Sequence, residues 1–119
     1  GTALYVLKIN DDPEIIGGLG TLHVRYLDPA SGRYRELSWP LPMPRKVPAA
    51  RAASPSMRLA MSSAFFGERL ADSPYASGYD FHDLYTMTAG LPEAFPNQPR
   101  VPQMQSMLLQ ASELYGENE

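Results

Sequence analysis

The sequence predicts an α+β fold in which strands come first and helices follow. Along residues 22–26 apolar and polar side chains alternate, which is typical of a strand with one covered face. Along residues 57–70 apolar side chains recur at intervals of three and four, the spacing of an amphipathic helix. A proline-rich stretch separates the two patterns, so strands and helices are segregated along the chain.

Two further features precede the alternating segment. Residues 2–9 carry aliphatic and aromatic side chains on both alternating sets, which predicts a strand covered on both faces. Residues 10–20 contain an Asp-Pro pair and several glycines, and they predict a loop. The N-terminal part is therefore expected to form antiparallel strands of a partial sandwich.

Residues 21–41 predict a β-hairpin with one apolar face. Its turn lies at residues 28–32, where Pro29 presets φ and Gly32 can take a positive φ. Trp39 lies two positions from both Leu37 and Leu41, so the three point to the same side of the strand. We expect Trp39 to point inward as an anchor. We interpret the apolar face as an interaction surface that packs on the chain's own helices, on strands outside this sequence or on a second copy. Its members are Leu22, Val24, Tyr26, Leu37 and Trp39.

The whole sequence is interpreted as one module, residues 1–119, with three parts. The β part covers residues 1–42, a proline-rich connector covers residues 43–55, and a helical part covers residues 56–116. The connector is predicted to be extended, with a ligand for an aromatic groove as the alternative. Its basic residues, together with Arg58, are expected to be solvated.

Three helices are predicted in the helical part. Ser54 caps the first, in which Gly67 predicts a close packing contact. Asp80 caps a short second helix that Gly90 ends, and the third closes the chain with a stop at Gly116.

Composition excludes several classes of function. Ten basic and thirteen acidic residues give a net charge of −3, which weighs against nucleic-acid binding. There is no cysteine, which excludes thiolate catalysis, disulfides and cysteine-based zinc sites. No apolar run approaches the ~20 residues of a membrane span. Since the sequence starts inside an apolar run and without Met, we expect it to be a fragment.

Candidate reactive groups are few. His23 lies on the polar face of a predicted strand and is expected to be solvated. His82 and Asp83 could form an oriented general base, and with Tyr79 they support the alternative of a small hydrolase-like or ligand-binding domain. The acidic loop at residues 11–14 lacks the alternating ligands and turn glycine of a calcium loop. The sequence therefore predicts no catalytic residue, no metal site and no cofactor.

Three stretches occur in the order "TALY" (2–5), "LGTLHVRYLDPASG" (19–32) and "SMRLAMSSAFFGERLADSPY" (56–75). Together they resemble the C-terminal region of bacterial von Willebrand factor type A domain-containing proteins. That family has a "TALYE"-like strand, a strand ending in "RY" before a Pro and Gly turn, and a helix of the type "FRxAxAVAxFGxLLRxS". Val6 stands here where an acidic residue is usual. The final helix of the sequence is similar to the closing helix of that region. The matching residues are Thr2, Ala3, Leu4, Tyr5, Arg25, Tyr26, Pro29, Arg58, Ala60, Ala64, Phe66, Gly67, Leu70 and Ser73.

The resemblance implies a function without catalysis. It implies an accessory module that supports a preceding A domain of the same polypeptide and mediates adhesion or complex assembly with an unknown protein partner. It also implies a place at the bacterial cell envelope, periplasmic or extracellular. The Asp-x-Ser-x-Ser metal loop of the A domain is not in this sequence. If the sheet normally belongs to a larger sandwich, the isolated fragment is expected to form a homodimer.

Overall fold

The computed structural model describes residues 2–9, 18–76 and 78–117. It divides into two compact units. The helical unit consists of residues 1–5 and 48–119, and the hairpin unit consists of residues 6–47. The boundary between them, after Val47, falls within the predicted connector.

The hairpin unit contains two antiparallel strands, β1 (Gly20–Asp28) and β2 (Arg33–Leu41). Leu22 lies opposite Trp39 and Val24 lies opposite Leu37, so the two apolar sets share one face, as predicted. Strands followed by helices confirm the α+β fold class.

Asp28 organises the turn between the strands. Its carboxylate accepts hydrogen bonds from the Ala30 N–H at 3.1 Å and from the Ser31 hydroxyl at 2.8 Å. Gly32 has φ +65°, and its N–H donates to the Asp28 carbonyl at 2.8 Å. This Asp-initiated turn with a glycine at positive φ is the turn chemistry that the sequence predicts.

The predicted strand at residues 2–9 is wrong, because the structure assigns no strand there. A strand requires a neighbouring strand with which it exchanges backbone hydrogen bonds. The apolar pattern indicates only that the side chains need to be covered from water. Leu4 finds that cover by packing against the core of the helical unit. The predicted loop lies outside the described residues from residue 10 to residue 17.

The helical unit has four helices and two short 3₁₀ turns in its described part. The proline-rich link between the second and last predicted helices contains one helical turn that the sequence analysis did not predict. The helices are α1 (Pro55–Leu70), α2 (Phe81–Met87), α3 (Leu91–Ala94) and α4 (Arg100–Tyr115), and the 3₁₀ turns are Ala50–Ala52 and Pro74–Ala76.

Three helix ends follow the predicted capping residues, but the predicted stop at Gly90 is wrong, because α2 ends at Met87 and Gly90 caps the start of α3. The Ser54 hydroxyl accepts from the Met57 N–H at 3.3 Å at the start of α1. Asp80 and Asp83 form a reciprocal capping box at the start of α2, with N–H···O distances of 2.6 and 3.4 Å. Gly116 ends α4 at φ +71°, and the following Glu117 N–H donates to the Ser112 carbonyl in a Schellman motif.

The core lies where α1, α2 and α4 meet. Phe81 is fully buried, and its ring packs edge-on to Phe66 at 5.9 Å and against Tyr115 at 4.9 Å between centroids. The buried members of this cluster are Phe65, Phe66, Ala76, Phe81, Leu84, Met87, Leu108 and Ala111.

Arg58 and Glu117 are polar side chains that tie helices together. Arg58 donates from one guanidinium nitrogen to the carbonyls of Met87 and Ala89 at 2.9 and 2.6 Å, so it closes the C-terminal end of α2. The prediction that Arg58 is a solvated connector residue is therefore wrong. Glu117 accepts from Arg69 at 2.5 Å with one carboxylate oxygen and from the Phe81 N–H at 2.6 Å with the other. A single carboxylate thus joins the ends of α1 and α4 to the start of α2.

The predicted packing contact at Gly67 is also wrong. A methyl group built on this glycine would meet nothing within 4 Å. Gly67 lies on the exposed side of α1, and its φ is not in the left-handed region.

Candidate interaction surface

One face of the hairpin carries the five residues predicted as an interaction surface. All five point to the same side because Leu22, Val24 and Tyr26 alternate along β1 and their cross-strand partners alternate along β2. Their exposed fractions run from 39% for Tyr26 to 45% for Leu37 and Trp39. We refer to these five residues as the apolar face.

Cross-strand pairing makes the apolar face continuous. Leu22 and Trp39 are direct partners, and so are Val24 and Leu37. Directly opposite side chains on an antiparallel pair lie ~5 Å apart, so the four form a contiguous block. Tyr26 extends the block toward the turn, where its partner is Arg35.

The opposite face of the hairpin is mainly polar. His23 Nδ1 lies 3.5 Å from the Glu36 carboxylate, and both side chains are about 60% exposed, at 60% and 61%. The Arg25 guanidinium lies over the Tyr34 ring, 4.6 Å from its centroid. The contrast between the faces is what the period-two pattern predicts.

Trp39 lies on the predicted face, but the prediction that it is a buried anchor is wrong. Its side chain keeps 45% of its surface exposed. A two-stranded hairpin has no second layer of its own, so parity fixes which side a residue points to and not whether something covers it.

A shallow groove borders the end of the apolar face. It has a volume of about 490 Å³ and is lined by Gly18 and residues 40–43. Gly18 is required there, because it has φ +95° and a Cβ would lie 2.6 Å from the Leu41 carbonyl oxygen. The next residue, Leu19, donates its N–H to the same oxygen at 2.8 Å.

The structure brings together two of the three candidate reactive residues. Tyr79 and Asp83 line a cleft of about 190 Å³ with Arg51, but His82 is not among the lining residues. Asp83 also serves the capping box of α2 through its carboxylate. Its position thus has a structural explanation, and the enzymatic alternative stays a prediction.

A larger cleft of about 710 Å³ lies in the helical unit. Small side chains of α1 form one wall, and Leu4 and Phe95 contribute apolar surface. The hydroxyl of Ser63 on this wall already donates to the Leu59 carbonyl at 2.7 Å.

Metal-binding groups and membrane spans were sought in the described part of the chain. No three His, Asp or Glu side chains converge there as ligands for a metal ion. No helix in those residues combines the length and the hydropathy that crossing a bilayer requires.

The sequence did not predict the roles of Arg58 and Glu117 in organising the helical unit. Arg58 was interpreted as part of a basic strip because of its charge. Glu117 follows Gly116, and the sequence there predicts the end of a helix but not the tertiary contact of Glu117. No sequence signal could pair Glu117 with Arg69, since 48 positions separate them.

Comparison with known protein families gives one match. The model described as "Uncharacterized protein YfbK, C-terminal" matches residues 6–100. Searches of curated proteins and of solved structures gave no significant match. The matched range includes the hairpin and the first three helices, which is well over half of the 119 residues. The chain therefore belongs to the family of YfbK C-terminal domains.

Proposed function

We propose that the chain is a non-catalytic interaction module that accompanies a von Willebrand factor type A domain in the same polypeptide. The observation that supports this most strongly is the apolar face, which displays five large side chains on one side of the hairpin. Exposed apolar groups gathered in one place favour contact with another protein. The motifs that resemble the C-terminal region of A-domain proteins support the choice of an A domain as the neighbour.

The composition of the apolar face suits a protein partner. Trp and Tyr are enriched among residues that dominate binding energy, and here one of each flanks three aliphatic side chains. The five residues carry no charge, and the charged neighbour on the same side, Arg35, is paired with Asp28 at 3.1 Å between its Nε and a carboxylate oxygen. Burying the five side chains therefore leaves no charge among them unpaired.

Binding between this chain and its A domain, produced as a separate protein, tests the proposal. Leu37→Asp places a carboxylate in the centre of the apolar face and should weaken binding at least about tenfold, since an unpaired buried charge is costly. Ser38→Asp is the matched control, because the next residue points to the polar face. Equal affinity of both variants and of the unmodified chain, measured by calorimetry, would contradict the proposal.

We also propose that the full polypeptide acts at the bacterial cell envelope, in adhesion or in assembly of a complex. This part is supported by the A-domain resemblance alone. Fractionation of cells that produce the full polypeptide tests it. Recovery with the envelope fraction is expected, and recovery solely with the cytosolic fraction would contradict it.

The alternative of a small hydrolase-like or ligand-binding domain is supported by the cleft that Tyr79 and Asp83 share with Arg51. If this cleft is catalytic, hydrolysis of an activated ester should be lost in Tyr79→Phe while stability is retained, because the variant removes only a hydroxyl group from the cleft lining. Hydrolysis at the rate of buffer, with the unmodified chain, would remove this alternative.

A further inference from the structure

The backbone edges of the hairpin differ in a way that the apolar face does not explain. In the described residues β1 pairs with β2 alone, so each strand has one outer edge. β2 carries Pro40 within its paired length, and charged residues occupy three of its first four positions. β1 contains no proline, and Arg25 is the one lysine or arginine along it. Proline and charge are common means of blocking edge pairing, and β1 has less of both.

Pro40 also identifies which backbone groups of β1 point outward. Pro40 lies opposite Thr21, and a proline cannot donate to a hydrogen-bonded pair. Since hydrogen-bonded and non-hydrogen-bonded pairs alternate along an antiparallel ladder, the odd-numbered residues of β1 face away from β2. The outer edge therefore presents N–H and C=O groups from Thr21, His23, Arg25 and Leu27.

We propose that this outer edge pairs with the same edge of a second copy, antiparallel and across a two-fold axis at Val24. This inference rests on the proposed function in one respect, that the apolar face belongs to an interface. It names a second copy of this chain as one of the partners. The resulting sheet has four strands, in the order β2, β1, β1 and β2.

The register about Val24 satisfies both the backbone and the side chains. His23 lies opposite Arg25 of the second copy, and Thr21 lies opposite Leu27, so outward-facing groups meet outward-facing groups. On the apolar face Leu22 lies opposite Tyr26 of the second copy, and Val24 lies opposite itself. These are non-hydrogen-bonded pairs, in which side chains approach most closely.

Pairing at this edge stabilises the hairpin unit. A two-stranded hairpin is marginally stable in water, whereas three or more strands with an apolar face support one another. The two apolar faces merge into one continuous surface with five side chains from each copy. A two-fold axis closes the assembly at a dimer, because the outer edges that remain belong to β2 and carry Pro40.

Disulfide trapping tests the register directly, since the chain has no cysteine. In Val24→Cys the two thiols face each other across the axis, where Cα atoms are ~4.5 Å apart, within the range that a disulfide spans. Leu37→Cys is the matched control, because Leu37 is the direct partner of Val24 on the same face. Three strand spacings separate its two copies, ~14 Å, which is too far for a disulfide.

Mild oxidation should convert Val24→Cys to a covalent dimer at least about tenfold faster than Leu37→Cys. Equal cross-linking of the two variants would show that the copies stack face to face, which overturns the edge pairing but leaves the apolar face as an interface. A monomer at high protein concentration in sedimentation equilibrium overturns the edge pairing as well, and binding to the A domain then tests the proposed function separately.

Proline substitution on the two outer edges provides an independent readout. His23→Pro removes an outward-facing donor from β1, and Ser38→Pro, its cross-strand partner, removes one from β2. Sedimentation should show a weakened dimer for His23→Pro and an unchanged dimer for Ser38→Pro. Equal dimerisation of both variants would overturn the proposal, provided that circular dichroism shows the hairpin intact.

Discussion

The helical unit and the hairpin unit differ in how far their apolar side chains are buried. In the helical unit Phe81, Leu84 and Leu108 are fully buried, and polar ties from Arg58 and Glu117 close the ends of the helices. In the hairpin unit the five residues of the apolar face remain 39–45% exposed. From the sequence, the apolar face could pack on the chain's own helices, on strands outside this sequence or on a second copy. An apolar pattern therefore predicts which side chains favour burial, but not whether they are buried. Several helices packed together bury such side chains more completely than a single hairpin does.

The largest effect is expected from Phe81→Ala. This ring is fully buried and contacts Phe66 and Tyr115, so its removal leaves a cavity and should cost about 3–5 kcal/mol of unfolding free energy. Chemical denaturation followed by circular dichroism of the helices measures it. Leu114→Ala is the control, because that side chain is 84% exposed and should change stability by less than ~0.5 kcal/mol. Similar costs for the two variants would mean that the helical core is wrongly located.

Trp39→Ala measures how much a residue of the apolar face contributes to stability and to binding. In the chain alone the cost to unfolding should be about 1–2 kcal/mol, because nearly half of the side chain is already exposed. The loss in affinity for the A domain should be larger, ~2 kcal/mol or more, because a buried interface Trp is often a hot spot. Calorimetry of binding and denaturation of the chain alone give the two values. A cost above that of Phe81→Ala in the chain alone would contradict the exposed position of Trp39.

Glu117→Gln should have an intermediate effect. It removes the charge that pairs with Arg69 and weakens the bond from the Phe81 N–H, at a cost of about 1–2 kcal/mol. Glu113→Gln is the matched control, because Glu113 is exposed on the last turn of α4. Thermal unfolding of the two variants compares them. An equal midpoint for both would show that the Glu117 carboxylate does not hold the three helix ends together.

Gly67→Ala should give the smallest effect, and it should stabilise the chain. The added methyl group meets nothing within 4 Å, and alanine favours a helix interior by about 0.5–1 kcal/mol over glycine. Gly116→Ala should do the opposite, because φ there is +71°. Denaturation midpoints that move in the same direction for the two variants would contradict this account.

Local chemistry was predictable wherever a few neighbouring residues decide the structure. The turn at Asp28, the cap at Ser54, the capping residue Asp80 and the stop at Gly116 were all foreseen, because side chains within three or four positions satisfy the backbone there. The helical turn α3 was not predicted, although its Pro92 lies in the first turn of the helix, where proline fits.

Features that depend on distant partners were not predictable. Residues 2–9 were predicted to form a strand because their apolar side chains favour burial. Leu4 is instead partly buried against the helices. The roles of Arg58 and Glu117 rest on contacts across 29 or more positions. The alternation of apolar and polar residues predicted which side of the hairpin each side chain points to. It did not predict the exposed fraction of Trp39, because exposure depends on what packs against the side chain.

The hypothesis that the apolar face of the hairpin serves a partner, while the helical unit completes its own core, can be tested by hydrogen exchange. Peptides from residues 20–41 should be measured in the chain alone and in the full polypeptide that carries the A domain. Slower exchange in this segment of the full polypeptide, with peptides from residues 81–115 unchanged, is the predicted result. Equal exchange of residues 20–41 in both proteins would contradict the hypothesis.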